Sequence, residues 1–263
     1  MGMQSSRIAI AIVVLVPIMS AQTQPLTADQ VLENHIRATG GRERYEAVQT
    51  MYEKLELSGD LNESLIWSNM PVRVNQNAVT ESYFAAPNRR VSITTYLGGR
   101  AAGASGCDGK RAWYSEPGVG FNEATKGSVY DRLCAPLFEF PLHWRDRVKK
   151  AEVRGTKKVS GREMLVVRLF RTDDDYGDYC FDPQSYFLLR VEAFHRFAGR
   201  QMKLTTSYSD FSTVGGLIFP FSISQEADLN VSNLKLRQSQ RQITSIELNV
   251  PINPDIFNKR PGR

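Results

Sequence analysis

From Met51 to Leu248 the chain alternates apolar and polar residues with a period near two, whereas the residues before Met51 follow a period of 3.6. The helical part opens on Thr27-Ala-Asp-Gln30, a capping box with Thr27 as N-cap and Gln30 reaching back, with Leu26 and Val31 able to close a hydrophobic staple. Val31, Leu32, Ile36 and Ala38 form one apolar stripe, and Gly40-Gly41 supplies the left-handed residues that end a helix. This predicts a helix over 28–39, then a shorter helical turn within 42–50.

Eleven strands are predicted beyond it: 51–57, 79–85, 90–96, 111–114, 151–154, 162–171, 179–181, 185–197, 203–211, 217–224 and 238–248. Turn residues separate several of them, as at Pro87-Asn88, Asp108-Gly109, Asp182-Pro183, Gly199 and Gly215-Gly216, and such short links join antiparallel neighbours. A strand over 185–197 reaches roughly 40 Å, and strands of that length twist and curl. Phe187, Leu189, Val191 and Ala193 make one apolar row, matched by Leu165, Val167 and Leu169, by Val91 and Ile93, and by Leu217, Phe219 and Phe221. Pro220 cannot donate to a ladder, so its strand lies at an edge or a bulge there. The expected fold is mainly β (α+β): an incomplete, curved antiparallel β-barrel of about eleven strands, covered by the N-terminal helix and a short helical lid.

That lid is the segment Asp131–Arg145, which breaks the strand rhythm. Pro136 and Pro141 favour short broken helices, and its large apolar groups must face inward. The candidate ligand-binding set is therefore Leu137, Phe138, Phe140, Leu142 and Trp144 over a cavity lined by Val91, Ile93, Leu165, Val167, Phe187, Leu189, Val191, Phe219 and Phe221. The same segment packed permanently as core would bury those groups equally well.

The N-terminus changes the cellular setting. Arg7 precedes an unbroken apolar run from Ile8 to Val16, then Pro17, Ile18, Met19, Ser20 and Ala21, which reads as a secretory signal peptide cut after Ala21. The run is shorter than the ~20 residues that span a bilayer. The expected mature chain, residues 22–263, is a single half-barrel domain, exported across the inner membrane and soluble in the periplasm.

Composition removes several classes. With 41% hydrophobic and 23% charged residues the chain is neither disordered nor collagenous. The 33 Lys+Arg against 28 Asp+Glu are spread along the chain, so no nucleic-acid footprint arises. Cys107, Cys134 and Cys180 allow one internal bridge, with all three pairings open, and with only His35, His143 and His195 beside them they offer no zinc or redox motif. Gly103-Ala-Ser-Gly106 lacks the spacing of a serine-hydrolase elbow and reads as part of a hairpin loop. Asp173, Asp174, Asp175 and Asp178 lack the register of a calcium loop, Glu192 and Asp210 read as an exposed face rather than a glycosidase pair, and His143 and His195 show no partner. No metal, cofactor or enzymatic activity is expected.

Several segments together carry a likeness: the Gly40-Gly41 stop, Glu81-Ser-Tyr-Phe-Ala-Ala-Pro-Asn-Arg-Arg90, Cys107-Asp-Gly-Lys-Arg-Ala-Trp113, Tyr179-Cys-Phe-Asp182, Tyr208-Ser-Asp-Phe-Ser-Thr-Val-Gly-Gly-Leu-Ile-Phe-Pro220 and Asn249-Val-Pro-Ile-Asn-Pro-Asp-Ile-Phe257. In their order, behind a signal peptide and a leading helix, they resemble the outer-membrane lipoprotein-sorting superfamily of bacteria across nearly the whole mature chain. The resemblance implies an incomplete β-barrel whose apolar cavity carries acyl chains of lipoproteins or other lipids, with membrane-bound donor and acceptor proteins as partners. It also implies a strand arginine that holds the lid by hydrogen bonds, for which Arg73, Arg89 and Arg90 are the candidates. A periplasmic sensor or scaffold that uses the same barrel to bind protein is the alternative.

Overall fold

The computed structural model describes residues 26–59, 77–97, 101–116, 120–197, 200–228 and 237–258. The predicted signal peptide and Arg73 lie outside these residues. Helix α1 (Ala28–Ala38) starts where the capping box places it. Thr27 Oγ1 accepts from the Gln30 amide at 3.2 Å, and Gln30 Oε1 accepts from the Thr27 amide at 2.8 Å, so two of the orphan N-terminal donors are satisfied. Val31, Leu32, His35 and Ile36 are its buried stripe. At its end, Gly40 (φ 130) lies so close to the Gly215-Gly216 turn that a Cβ would come within 2.6 Å of the Gly216 carbonyl oxygen, which fixes glycine there. A short helix α2 (Arg42–Glu46) follows.

Thirteen strands, β1 (Thr50–Gly59), β2 (Ala78–Ala85), β3 (Arg89–Tyr96), β4 (Ala101–Cys107), β5 (Ala112–Glu116), β6 (Gly120–Ala124), β7 (Lys150–Val159), β8 (Arg162–Phe170), β9 (Tyr176–Phe181), β10 (Leu188–Phe197), β11 (Arg200–Val214), β12 (Leu217–Asp228) and β13 (Arg237–Leu248), form one antiparallel sheet. Its order, β6-β5-β4-β3-β2-β1-β13-β12-β11-β10-β9-β8-β7, leaves β6 and β7 as open edges: the sheet curves without closing. The two strands beyond the expected eleven are β4 and β6. β4 is built from small residues and β6 carries a single large apolar residue, Phe121, so neither shows an apolar row, and Gly103-Ala-Ser-Gly106 lies in β4 rather than in a loop. Pro220 lies beyond the β12–β13 ladder, which runs from Ala227 to Ser222, so its missing N–H costs no bond there.

The register assigns the two faces. Met51, Phe84, Arg90 and Cys107 are directly opposite one another on β1–β4, and Tyr52, Tyr83, Val91 and Gly106 form the row on the other side. The first side, called inner here, meets α1 and the segment after β6. That segment consists of helix α3 (Ser128–Leu133), a turn at Glu139–Leu142 and a 3-10 turn at Trp144–Asp146. The disulfide Cys107–Cys134 fastens the end of α3 to β4, leaving Cys180 as a buried free thiol.

One irregularity rearranges the predicted rows. Leu188 is opposite Phe181 but Arg190 is opposite Cys180, so Leu189 is an extra residue, a β-bulge. The single row Phe187, Leu189, Val191, Ala193 is thereby divided. Leu188 and Val191 pack inward with Val167, Leu169 and Phe181, while Phe187 and Leu189 pack with Met164, Val166, Cys180 and Phe211 on the outer side.

Candidate ligand cavity

The inner face carries two apolar regions. In the first, Leu137 and Phe138 pack on Met51, Ile243, Ile246, Phe219 and Phe221, and Leu142 joins Ile36, Tyr45 and Leu217. Phe138 sits edge-on to Tyr45 with ring centres 5.0 Å apart, at a left-handed φ of 57°. This stretch of the lid is packed as core. In the second, Phe140 and Trp144 meet Val31, Leu32, Leu165, Val167, Leu169, Tyr179 and Val191. Here packing is incomplete, and a cavity of about 780 Å³ remains. Phe140, Trp144 and Val148 close one side of it; Leu169, Tyr179, Val191 and Ala193 form the opposing wall.

Of the sequence-predicted set, Phe140, Trp144 and Val191 line this cavity, and Leu165 and Val167 lie in the core beside it. Leu137, Phe138, Leu142, Phe219 and Phe221 belong to the packed region. Four positions are elsewhere. Phe187 and Leu189 are outer because of the bulge, and Val91 is outer beneath Phe257 with Trp113 and Ala85, while Ile93 in the same row is 40% exposed. The C-terminal segment gives β2–β5 an apolar cover on the outer side that strand alternation does not reveal. Leu169, Tyr179 and Ala193 also line the cavity; the first and last belong to apolar strand rows, while the predicted strand 179–181 is too short to show alternation.

The cavity rim is charged. Arg147 Nε donates to Glu139 Oε1 at 2.9 Å, and His195 Nδ1 lies 3.0 Å from Asp175 Oδ1, with Arg171 4.0 Å from the same carboxylate oxygen. His195 thus has the partner its sequence context did not suggest, and His143 lies 3.7 Å from Asp146. Burial pulls the His195 pKa down against the pull of Asp175, and burial pushes the Tyr179 phenol up. Beneath the lid, His35 donates from Nδ1 to the Tyr186 carbonyl at 2.9 Å and stacks on Phe140. Burial holds its pKa down at about 4, so it is neutral at pH 7. No serine, threonine or cysteine is among the lining residues, and no cluster of metal-binding side chains occurs among the described residues. Glu192 lies on the outer face opposite Thr205, ion-paired to Lys157, Arg190 and Lys203, and is buried at 8% exposure rather than on an exposed face.

The lid is tied to its surroundings at several points, among them the Leu137 amide donating to the Pro87 carbonyl at 2.9 Å. Besides the disulfide, Arg90 Nη1 donates to the Arg132 carbonyl at 3.3 Å while its guanidinium covers the Phe84 ring, and Arg145 pairs with Asp29 of α1 at 2.7 Å. Among the arginine candidates, Arg89 instead lies over Phe257 on the outer side.

At the level of sequence no family model and no curated protein matches the chain. Its architecture does have counterparts. A LolA superfamily protein from Nitrosomonas europaea superposes with a TM-score of 0.56 at 13% identity, covering 89% of this chain and 99% of its own. The chain has the lipoprotein-sorting fold. A putative outer-membrane lipoprotein-sorting protein domain from Vibrio parahaemolyticus aligns at TM-score 0.55 and 12% identity over 88% of this chain and 97% of its own. A DUF1329 family protein from Desulfovibrio piger aligns at 0.55 and 10% over 88% and 96%. At these identities the likeness is one of fold. No helix among the described residues is long and apolar enough to cross a membrane.

Proposed function

We propose that this protein is a non-enzymatic periplasmic carrier that holds acyl chains of lipoproteins or other lipids in the cavity of its open half-barrel, acting in outer-membrane lipoprotein sorting. The observation that carries the reading is the 780 Å³ space between the lid and the inner face, walled by Phe140, Trp144, Val148, Leu169, Val191 and Ala193. Its size falls in the range of about 300–1,000 Å³ typical of ligand sites. Each methylene transferred from water onto the apolar part of this wall gains about 0.8 kcal/mol, so an acyl chain can bind there inside the charged rim of Glu139, Arg147, Arg171 and Asp175. Release requires that the wall be able to part. The wall formed by Phe140 and Trp144 belongs to short helical turns broken at Phe140, secured by an arginine, an ion pair and a disulfide rather than by a continuous strand.

The predicted signal peptide over 1–21 supports export, and the fold of the LolA superfamily protein supports a place in lipoprotein handling. Native mass spectrometry and lipid extraction of the exported protein test the reading. An acyl-bearing ligand should travel with it. Protein recovered without any lipid, and unable to take up a fatty-acyl probe of any chain length, would overturn it.

A further inference from the structure

The outer face of β7–β11, which meets the cavity only at Tyr176 on its rim, carries an ordered surface that the carrier reading does not use. Lys150, Phe170, Tyr176, Phe194 and Lys203 stand directly opposite one another on five successive strands. The three rings form a ladder: Phe170 and Tyr176 have centres 5.7 Å apart, and Tyr176 and Phe194 stack at 4.8 Å with 22° between planes. A lysine closes each end, Lys150 Nζ 5.6 Å from the Phe170 centre and Lys203 Nζ 5.7 Å from that of Phe194, while the Arg168 guanidinium lies 4.4 Å over Tyr176. The row meets Asp228 on β12, which bounds the patch.

Beside the rings runs an ion-pair network with unequal numbers. Glu152 holds Lys150 and Arg154, Asp178 holds Arg168, and Glu192 holds Lys157, Arg190 and Lys203. Six cations face these three carboxylates and Asp228, which stands opposite Lys203, so two positive charges remain in surplus next to the aromatic row. Cross-strand ring pairs stabilise a sheet on their own, and one-to-one ion pairs would neutralise their row. A surplus of this kind attracts an external anion. Rings flanked by long cationic side chains match the bilayer interface, where aromatics sit at headgroup depth and lysine and arginine reach lipid phosphates.

We propose that the outer face of β7–β11 docks on an anionic lipid bilayer. The test is sedimentation of the mature protein with vesicles of phosphatidylcholine alone and of phosphatidylcholine mixed with phosphatidylglycerol, at low and high salt. Binding should require phosphatidylglycerol and weaken with salt. Lys150→Gln combined with Lys203→Gln should weaken it about tenfold or more, and Lys150→Arg with Lys203→Arg should retain it. Fatty-acyl probe uptake should be unchanged in both pairs, which separates this face from the cavity. Equal binding to both vesicle types, no binding to either, or full binding by the glutamine pair would overturn the proposal, as would capture by an acidic protein without vesicle binding.

Discussion

Replacing Val191 by aspartate probes the cavity from within the sheet. Val191 stands on β10 between Tyr179 and Thr206 and lines the 780 Å³ space, so a carboxylate there projects into the room an acyl chain would fill. A hydrated carboxylate denies a dry wall to three or four neighbouring methylenes. At about 0.8 kcal/mol each the loss is about 3 kcal/mol, or roughly a hundredfold in Kd. Stability should fall by only about 1–2 kcal/mol, because Val191 is half-buried beside open volume rather than enclosed. Leu189→Ala is the matching control. Leu189 is 9% exposed and packs with Met164, Val166 and Cys180 on the outer side, so its truncation should cost about 2–4 kcal/mol and leave affinity per folded molecule unchanged. Titration with a fluorescent fatty-acyl probe gives the affinity, and thermal unfolding gives the stability. Tight probe binding by Val191→Asp together with lost binding by folded Leu189→Ala would refute the assignment of faces and return the cavity to the opposite side of the sheet.

Other perturbations act on the lid and on the charges. Mutating both Cys107 and Cys134 to serine frees a loop with a sequence separation of 27 and should cost about 3–4 kcal/mol, read as a lower melting temperature that reductant no longer affects. Arg90→Ala removes the hydrogen bond to the Arg132 carbonyl and the cover on Phe84; it should cost about 1 kcal/mol and speed probe release in stopped-flow measurements. His35 is held at about 4 against an ordinary 6.5, so the unfolded chain binds its proton first as pH falls. The stability His35 contributes is full above pH 6.5 and declines by about 3 kcal/mol as pH drops toward 4, a loss that His35→Gln should remove from the pH dependence of melting. Burial alone would raise the Glu192 carboxyl, but Lys157 and Lys203 hold it at about 2 against an ordinary 4.5. Its contribution is therefore present above pH 4.5 and lost between there and pH 2, and Glu192→Gln should flatten that limb while costing roughly 1–3 kcal/mol at neutral pH.

Local chemistry was legible in the chain. The capping box at Thr27 and Gln30, the stripe Val31, Leu32, Ile36 and the stop at Gly40-Gly41 are interactions between residues a few positions apart, and α1 lies where they place it. Alternation marked the apolar strands for the same reason, since period two is a property of each strand alone. Pro220 marked where its own strand leaves a ladder, but β12 lies inside the sheet, and the open edges are β6 and β7. Partnership was not legible. Three pairings were open to the cysteines until β4 and the end of α3 met. Strands β4 and β6, which have no apolar row of their own, exist because their neighbours complete their hydrogen bonds. Which face an apolar row presents depends on register, and one bulged residue at Leu189 moved Phe187 and Leu189 to the side opposite Val191. Val91 was apolar for a different cover altogether, Phe257 from the far end of the chain. Alternation states that a row must leave water; only the tertiary contacts, formed between residues distant in sequence, decide what takes the water's place.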